Sequence, residues 1–444
     1  MDEYFHSVQL DEKQCIGCTN CIKRCPTEAI RVKNGKARII KERCIDCGEC
    51  IRVCPQHAKN GVTDSIKDIE NFKYKVALPA PSILSQFDEN VSPGKILASL
   101  KLLGFDDVVE VSRGADIVSH YTKEMINKAK KLPLISSSCP VIVRLIQIRF
   151  PSLLDNIIPI ESPMEVAAGI ARQKAIEKTG LPTEDIGIFF ISPCPAKMTS
   201  VKEPLGNLKS NVDGVISIKS LYPCMQKNLK KDLDEEEFYD SGKAIGWARS
   251  GGETFSLGIK DYLCVDGIEN VIQVLDEVEN EKIREIQFIE CLACNNGCVG
   301  GSLTVENPFV ARNRIRRLAE KYMKTKEIAV DKAIEEYSFT ENIDPKNVHK
   351  LDENIMEAMK KMERISCIQQ MLPNLDCGAC GSPNCKALAE DIVLGYSELD
   401  DCMVIFRDKY KKLNQEKIEH QDRNNSEQQE IQTVEEDQSN NQEE

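Results

Sequence analysis

Histidine is scarce in this 444-residue chain: His6, His57, His120, His349 and His420 are scattered, which argues against a mixed Cys/His zinc protein. Also missing is any uninterrupted apolar run near the roughly 20 residues that span a bilayer. The first residues, MDEYFHSVQLDEKQC, lack the basic region and apolar core of a secretory signal, so the expected compartment is the cytoplasm. An excess of positive charge is absent too. The formal net charge is −13, which weighs against nucleic acid as a partner, although part of it lies in a polar C-terminal tail.

What is present is cysteine, 20 residues of it, in a chain 41% hydrophobic and 29% charged that has the balance of a mostly globular protein. Its length suffices for two to four domains. Disulfides are disfavoured in the cytoplasm, and repeated C-x-x-C spacings point to metal, with thiolates selecting zinc or iron–sulfur clusters.

Residues 15–26, CIGCTNCIKRCP, recur as CIDCGECIRVCP at 44–55. Both follow C-x-x-C-x-x-C-x-x-x-C-P, the bacterial ferredoxin signature, in which the fourth cysteine ligates the other cluster. Crossed ligation assigns one 4Fe-4S cluster to Cys15, Cys18, Cys21 and Cys54, and a second to Cys44, Cys47, Cys50 and Cys25. A zinc site has no need for this duplicated third and fourth position. Near the other end, LPNLDCGACGSPNCKALAEDI supplies Cys377, Cys380 and Cys385, with Cys402 a helix-length further on. By spacing alone, four thiolates with one C-x-x-C pair also satisfy zinc. The run resembles a small iron–sulfur domain, CGxCG…C…C, of anaerobic electron-transfer proteins, and that resemblance implies a further 4Fe-4S cluster.

Between these clusters the character changes. KVALPAPSIL, LASLKLLGFDDVVEV and PLISSSCPVIVRLI read as apolar, strand-like runs. They alternate with helix-length segments such as Ser119–Lys131 and Pro163–Thr179. IGIFFISPC (186–194) and REIQFIEC (284–291) read as buried strands that each deliver a cysteine at the C-terminal end. Alternation of this kind predicts an α/β core, with ligands collected beyond the strand C-termini. The expected organisation is a small α+β ferredoxin domain (1–62), an α/β core domain (72–330), a helical connector (331–365), a small, mostly helical iron–sulfur domain (366–410) and a polar tail (411–444). The tail is too polar to offset its ordering entropy and is expected to be disordered, a short solvated helix being the alternative.

The core holds Cys139, Cys194, Cys224, Cys264, Cys291, Cys294 and Cys298, any one of which is most simply a buried apolar thiol. The stretch CLACNNGC (291–298) sets Cys294 and Cys298 four apart, a helical spacing, yet Asn295, Asn296 and Gly297 favour a turn. From about Lys75 to Arg316 the chain resembles the catalytic domain of the iron-only (FeFe) hydrogenases. That family carries TSCCP, PCxxK and E-x-M-x-C-x-x-x-C-x-x-G, where this chain has SSSCP, PCPAK and ECLACNNGCVGG.

The resemblance implies that Cys139, Cys194, Cys294 and Cys298 hold the cubane of an H-cluster, with Cys298 shared with a diiron subcluster and Cys291 a bystander. It also implies that Ala80, Pro81 and Ser82 line the diiron pocket, and that Ser82 and Lys197 bind its cyanides. Gly114-Ala115-Asp116 and Gly251-Gly252 match positions kept for the fold, while Cys224, Cys264 and Cys367 are left as core or surface thiols. The departures lie in the proton relay. Ser138 stands for the relay cysteine, Tyr121-Thr122 for an acidic pair and Ser200 for an acid. Leu292 replaces a methionine, and Met164-Glu165 replaces Gln-Gln. A hydroxyl is a poorer acid than a thiol, so slow turnover is expected.

The implied electron path runs through clusters near about −400 mV. At about 59 mV per pH unit, that matches a proton/hydrogen couple near roughly −410 mV at pH 7. The expected function is hydrogen binding with slow turnover, resembling sensory members of the superfamily. Expected partners are protons, a ferredoxin-like or signalling redox protein, and maturation proteins for the diiron unit. The alternative is an electron carrier or cluster-assembly protein without that unit.

Overall fold

The computed structural model describes residues 5–239, 241–323 and 334–440. It divides into two compact units, Met1–Ile30 with Gly35–Val348, and Arg31–Asn34 with His349–Glu444. In the first, strands β1 (Val8–Leu10) and β4 (Lys59–Gly61) pair antiparallel around the two cysteine repeats. Between them, β2 (Ile30–Lys33) and β3 (Lys36–Ile39) are joined at Asn34 and Gly35, both at positive φ, the two-residue turn that such residues favour.

The α/β core has two parallel sheets. One contains β5 (Tyr74–Pro79), β6 (Asp107–Val108), β8 (Ile186–Ser192) and β9 (Gly214–Ser217) in the order β6-β5-β8-β9. The other contains β7 (Leu134–Ile135), β10 (Tyr262–Asp266) and β11 (Phe288–Leu292) in the order β10-β11-β7. All pairings in both sheets are parallel. Every residue of β8 is buried, as expected for a near-continuous apolar strand covered on both faces. Its Phe189 meets the edge of Phe72 at 5.6 Å between centroids. Gly187 and Gly214 make room for these rings, since a Cβ at either would collide with one of them. Phe189→Ala should lower stability by about 3–5 kcal/mol, read as a lower urea midpoint with little change in slope.

Two strand-like runs prove to be helices. LASLKLL forms most of Pro93–Lys101, and VIVRLI lies in Pro140–Arg149. A helix buried all round is as apolar as a buried strand, so periodicity does not separate them. The deciding local signals are prolines at the first helical position and, for the first helix, the Ser92 hydroxyl capping the Lys95 N–H at 3.3 Å. The helix expected at Ser119–Lys131 runs from Ser112 to Lys128. Pro163–Thr179 forms as expected and ends on Gly180 at φ 68°. Among the described residues, the connector expected to be helical (331–365) is so only at the turn Ile334–Tyr337 and in helix Ile355–Met371; a separate helix, Pro308–Lys321, precedes it, and residues 324–333 lie outside the described residues.

In the second unit, Ile365, Leu372, Cys385, Leu388, Ala389 and Cys402 form a small core. Arg31 and Asp391 make a near-buried ion pair at 2.6 Å. A helix, Met403–Asn440, runs through most of the segment expected to be disordered, and residues 441–444 lie outside the described residues. Glu, Gln and Lys are good helix formers even with no core to bury. Among the described residues, no helix is long and apolar enough to cross a membrane.

Candidate metal centre

Four parallel strands end at one place. After β5 come Ala80 and the short turn Pro81–Ser85; after β7 come three serines and Cys139, just ahead of helix Pro140–Arg149. After β8 comes Cys194, then Lys197 in helix Ala196–Lys202; after β11 comes Cys294. These ends enclose a cavity of about 110 Å³ whose walls include Ala80, Pro81, Ser82, Ser138, Cys139, Cys194, Lys197, Cys294 and Cys298.

CLACNNGC is no helix. Asn296 has φ 67°, and Gly297 sits at φ 88°, ψ −158°, a conformation essentially restricted to glycine. The chain therefore reverses between Cys294 and Cys298, and both reach the cavity from a turn. Gly301 lets this loop close on the loop after β8, because a Cβ there would collide with the Pro193 carbonyl. Cys291 is fully buried in the apolar core instead.

The donor set fits an iron–sulfur group. Burial pushes the thiols of Cys139, Cys194 and Cys298 up, Cys194 to about 12, and the neighbouring thiols push them further. Buried thiols so close together ionise together only with a cation among them. The cavity also offers donors short of acceptors. Among the described residues, Ser82 Oγ and Trp247 Nε1 are buried without a hydrogen-bond partner. Lys197 Nζ donates to the Ser138 carbonyl and Ser162 Oγ, each at a long 3.3 Å.

The N-terminal repeats behave alike. The Ala29 N–H donates to Cys25 Sγ at 3.2 Å, and the Ala58 N–H to Cys54 Sγ at 3.3 Å. Cys25 lies near enough to raise the thiols of Cys44, Cys47 and Cys50, the grouping that crossed ligation requires. Lys59 is 2% exposed, its ammonium has no hydrogen-bond partner among the described residues, and its charge acts on Cys21 and Cys50. A buried cation so placed calls for anionic neighbours. Asp46 ties this segment to the core by accepting from the N–H groups of Ser7 and Val8 and from Thr199 Oγ1, the last at 2.6 Å. Cys380 is close enough to Cys377 and Cys402 for their charges to raise its thiol, and it packs with Cys385 and Cys402.

Sequence reasoning missed a pair of buried acids. Glu253 and Glu290 both line the cavity. Burial and then the Glu290 charge push Glu253 well up. Burial raises Glu290 too, but it accepts from the Gly251 and Thr254 N–H groups and Thr254 Oγ1 at 2.9–3.0 Å, which favour its charged form, whereas Glu253 has the Glu290 charge against it. Ser136 Oγ donates to Glu253 at 2.7 Å and accepts from the Ser138 N–H at 3.3 Å. The residues at the altered relay positions fare differently. Tyr121 packs on Tyr337 and Thr122 Oγ1 is buried without a partner, whereas Ser200 lines a second, polar cavity of about 50 Å³ with Ser138, Lys197, Glu161 and Glu165. Nothing in the local sequence marked Glu253, because a glutamate after two glycines is ordinarily a solvated one.

Burial, then Glu165, raises Glu161 to about 7. The folded state thus keeps a proton that the unfolded state releases near pH 4.5, and this stabilisation is lost as pH rises from there to about 7. Glu161→Gln should flatten that part of the stability profile in urea titrations across pH 4–8.

The geometry agrees with sequence comparison. Residues 73–258 and 256–302 match the iron only hydrogenase large subunit, C-terminal domain. Residues 7–55 match a 4Fe-4S dicluster domain, and 372–404 an Fe-S cluster domain. The chain is 27% identical over 363 residues to the periplasmic Fe hydrogenase large subunit of Nitratidesulfovibrio vulgaris, covering 67% of this chain and 86% of that one. It is 24% identical over 375 residues to iron hydrogenase 1 of Clostridium pasteurianum, covering 68% of this chain but only 65% of that longer relative. Among solved structures, a variant FeFe-hydrogenase from Chlamydomonas reinhardtii aligns with TM-score 0.48 at 15% identity, over 64% of this chain and 98% of that one.

Proposed function

Since the chain belongs to the iron-only hydrogenase large-subunit family, we propose that it binds hydrogen and splits it slowly, passing the electrons outward through its ferredoxin segment to a redox or signalling partner. The observation that carries this reading is the cavity that Cys139, Cys194, Cys294 and Cys298 share with Lys197, Ser82 and Ser138. A diiron unit, when bound there beside a cubane on Cys139, Cys194, Cys294 and Cys298, supplies the Lewis acid that polarises hydrogen. Lys197 and Ser82 supply a charge and a hydroxyl for its anionic ligands in a dry site. Ser138 holds the relay position with a hydroxyl, and the buried acid Glu253 lines the same cavity, where it would exchange protons directly; Ser136 Oγ holds its carboxyl while accepting from the Ser138 backbone N–H. Cys15, Cys18, Cys21 and Cys54 would hold one cluster, Cys44, Cys47, Cys50 and Cys25 a second, and Cys377, Cys380, Cys385 and Cys402 a third, and these would supply the electron-carrying groups.

The replaced relay thiol favours a second reading, an electron carrier without the diiron unit. Infrared spectroscopy of anaerobically matured protein separates the two. Bands of metal-bound CO and cyanide that shift under hydrogen support the first reading. Their absence at full iron loading, with competent maturation proteins, leaves the second. On the first reading, Ser138→Cys should raise hydrogen evolution about tenfold by restoring a better acid, with the infrared bands retained.

A further inference from the structure

Arg52 sits inside the second cysteine repeat, between Cys50 and Cys54, yet one arm of its guanidinium reaches out of that repeat. Nη2 donates to Cys294 Sγ at 3.1 Å and to the Gly300 carbonyl at 2.6 Å. Nη1 pairs with Glu49, one turn back on the same short helix. The side chain is about three-quarters shielded, at 27% exposure, so solvent screens its charge only in part. Cys47 of the same repeat lines the cavity beside Cys139 and Cys294. Two groups of cysteines distant in sequence are therefore adjacent, and one cation hydrogen-bonds a thiol of the second group from within the first.

We propose that Arg52 sets the reduction potential of the cubane held in part by Cys294, making that cubane the electron acceptor on the hydrogen side of the ferredoxin segment. The inference rests on the proposed ligand set. A reduced cluster carries one more negative charge than an oxidised one. A fixed cation hydrogen-bonded to a ligand sulfur favours the reduced form, and hydrogen bonds to sulfur together with net charge are established determinants of cluster potential. Arg serves where Lys would not. Its planar fork reaches sulfur and carbonyl together, and it stays charged beside thiolates. Glu49 opposes it by neutralising part of the charge. Arg52 is thus a positioning and tuning residue that acts through Cys294.

The test is an EPR-monitored redox titration of the full-length, cluster-loaded protein, following the signal that disappears in Cys139→Ala. Arg52→Gln should move that midpoint to lower potential, and Arg52→Lys by less. Glu49→Gln should move it to higher potential, a direction that loss of a structural clamp would not produce. An unchanged midpoint in Arg52→Gln with iron content intact overturns the inference. Should Arg52→Gln fail to hold its clusters, Glu49→Gln decides, and an unchanged or lowered midpoint there overturns it as well. A wild-type protein with no signal dependent on Cys139 refutes the ligand assignment itself, which iron counting registers separately.

Discussion

Glu253→Gln should cut hydrogen turnover of the matured protein by about 10²-fold or more, the usual worth of a proton-transfer group, while iron content and infrared bands stay as in the wild type. The carboxyl is buried in the cavity wall, its proton affinity is raised by burial and then by the Glu290 charge, and Ser136 Oγ holds it in place. Glutamine preserves the shape and a hydrogen bond to Ser136 but has no proton to exchange. Hydrogen evolution with a reduced dye, alongside hydrogen–deuterium exchange, would measure the effect. The exchange reaction should fall with turnover, because both need the same proton to move. Turnover at wild-type level would remove Glu253 from the route and return attention to the second cavity at Glu161 and Glu165.

The second large effect concerns Cys298. Cys298→Ala should lose about four irons per chain, the content of one 4Fe-4S cluster, together with all infrared bands of a diiron unit. Cys291→Ala, seven residues earlier, should lose neither. Cys291 is fully buried among apolar side chains and is absent from the cavity wall, so its replacement only trims packing. Iron analysis of the two variants side by side separates a ligand from a bystander within one short segment. Equal iron in Cys298→Ala and wild type would defeat the proposed cubane.

Much of this protein was determined by its sequence alone. The duplicated cysteine spacing is local, so the two N-terminal cluster motifs and the C-terminal one are readable without any fold. The α/β class follows from apolar runs that end in cysteine, and the family motifs pick out Cys139, Cys194, Cys294 and Cys298. Even the turn in CLACNNGC is written in Asn and Gly, whose backbone preferences act within a few residues. Tertiary structure alone decided the rest. LASLKLL and VIVRLI are helices because burial on every side erases the periodicity that would have told helix from strand. Glu253 and Glu290 lie 37 positions apart in sequence but face one cavity, and only the packing of β11 against the segment after Gly252 makes them a coupled pair. Arg52 meets Cys294 across 242 positions. Burial, charge coupling and such long-range hydrogen bonds are properties of distance in space, and a linear pattern does not contain that distance.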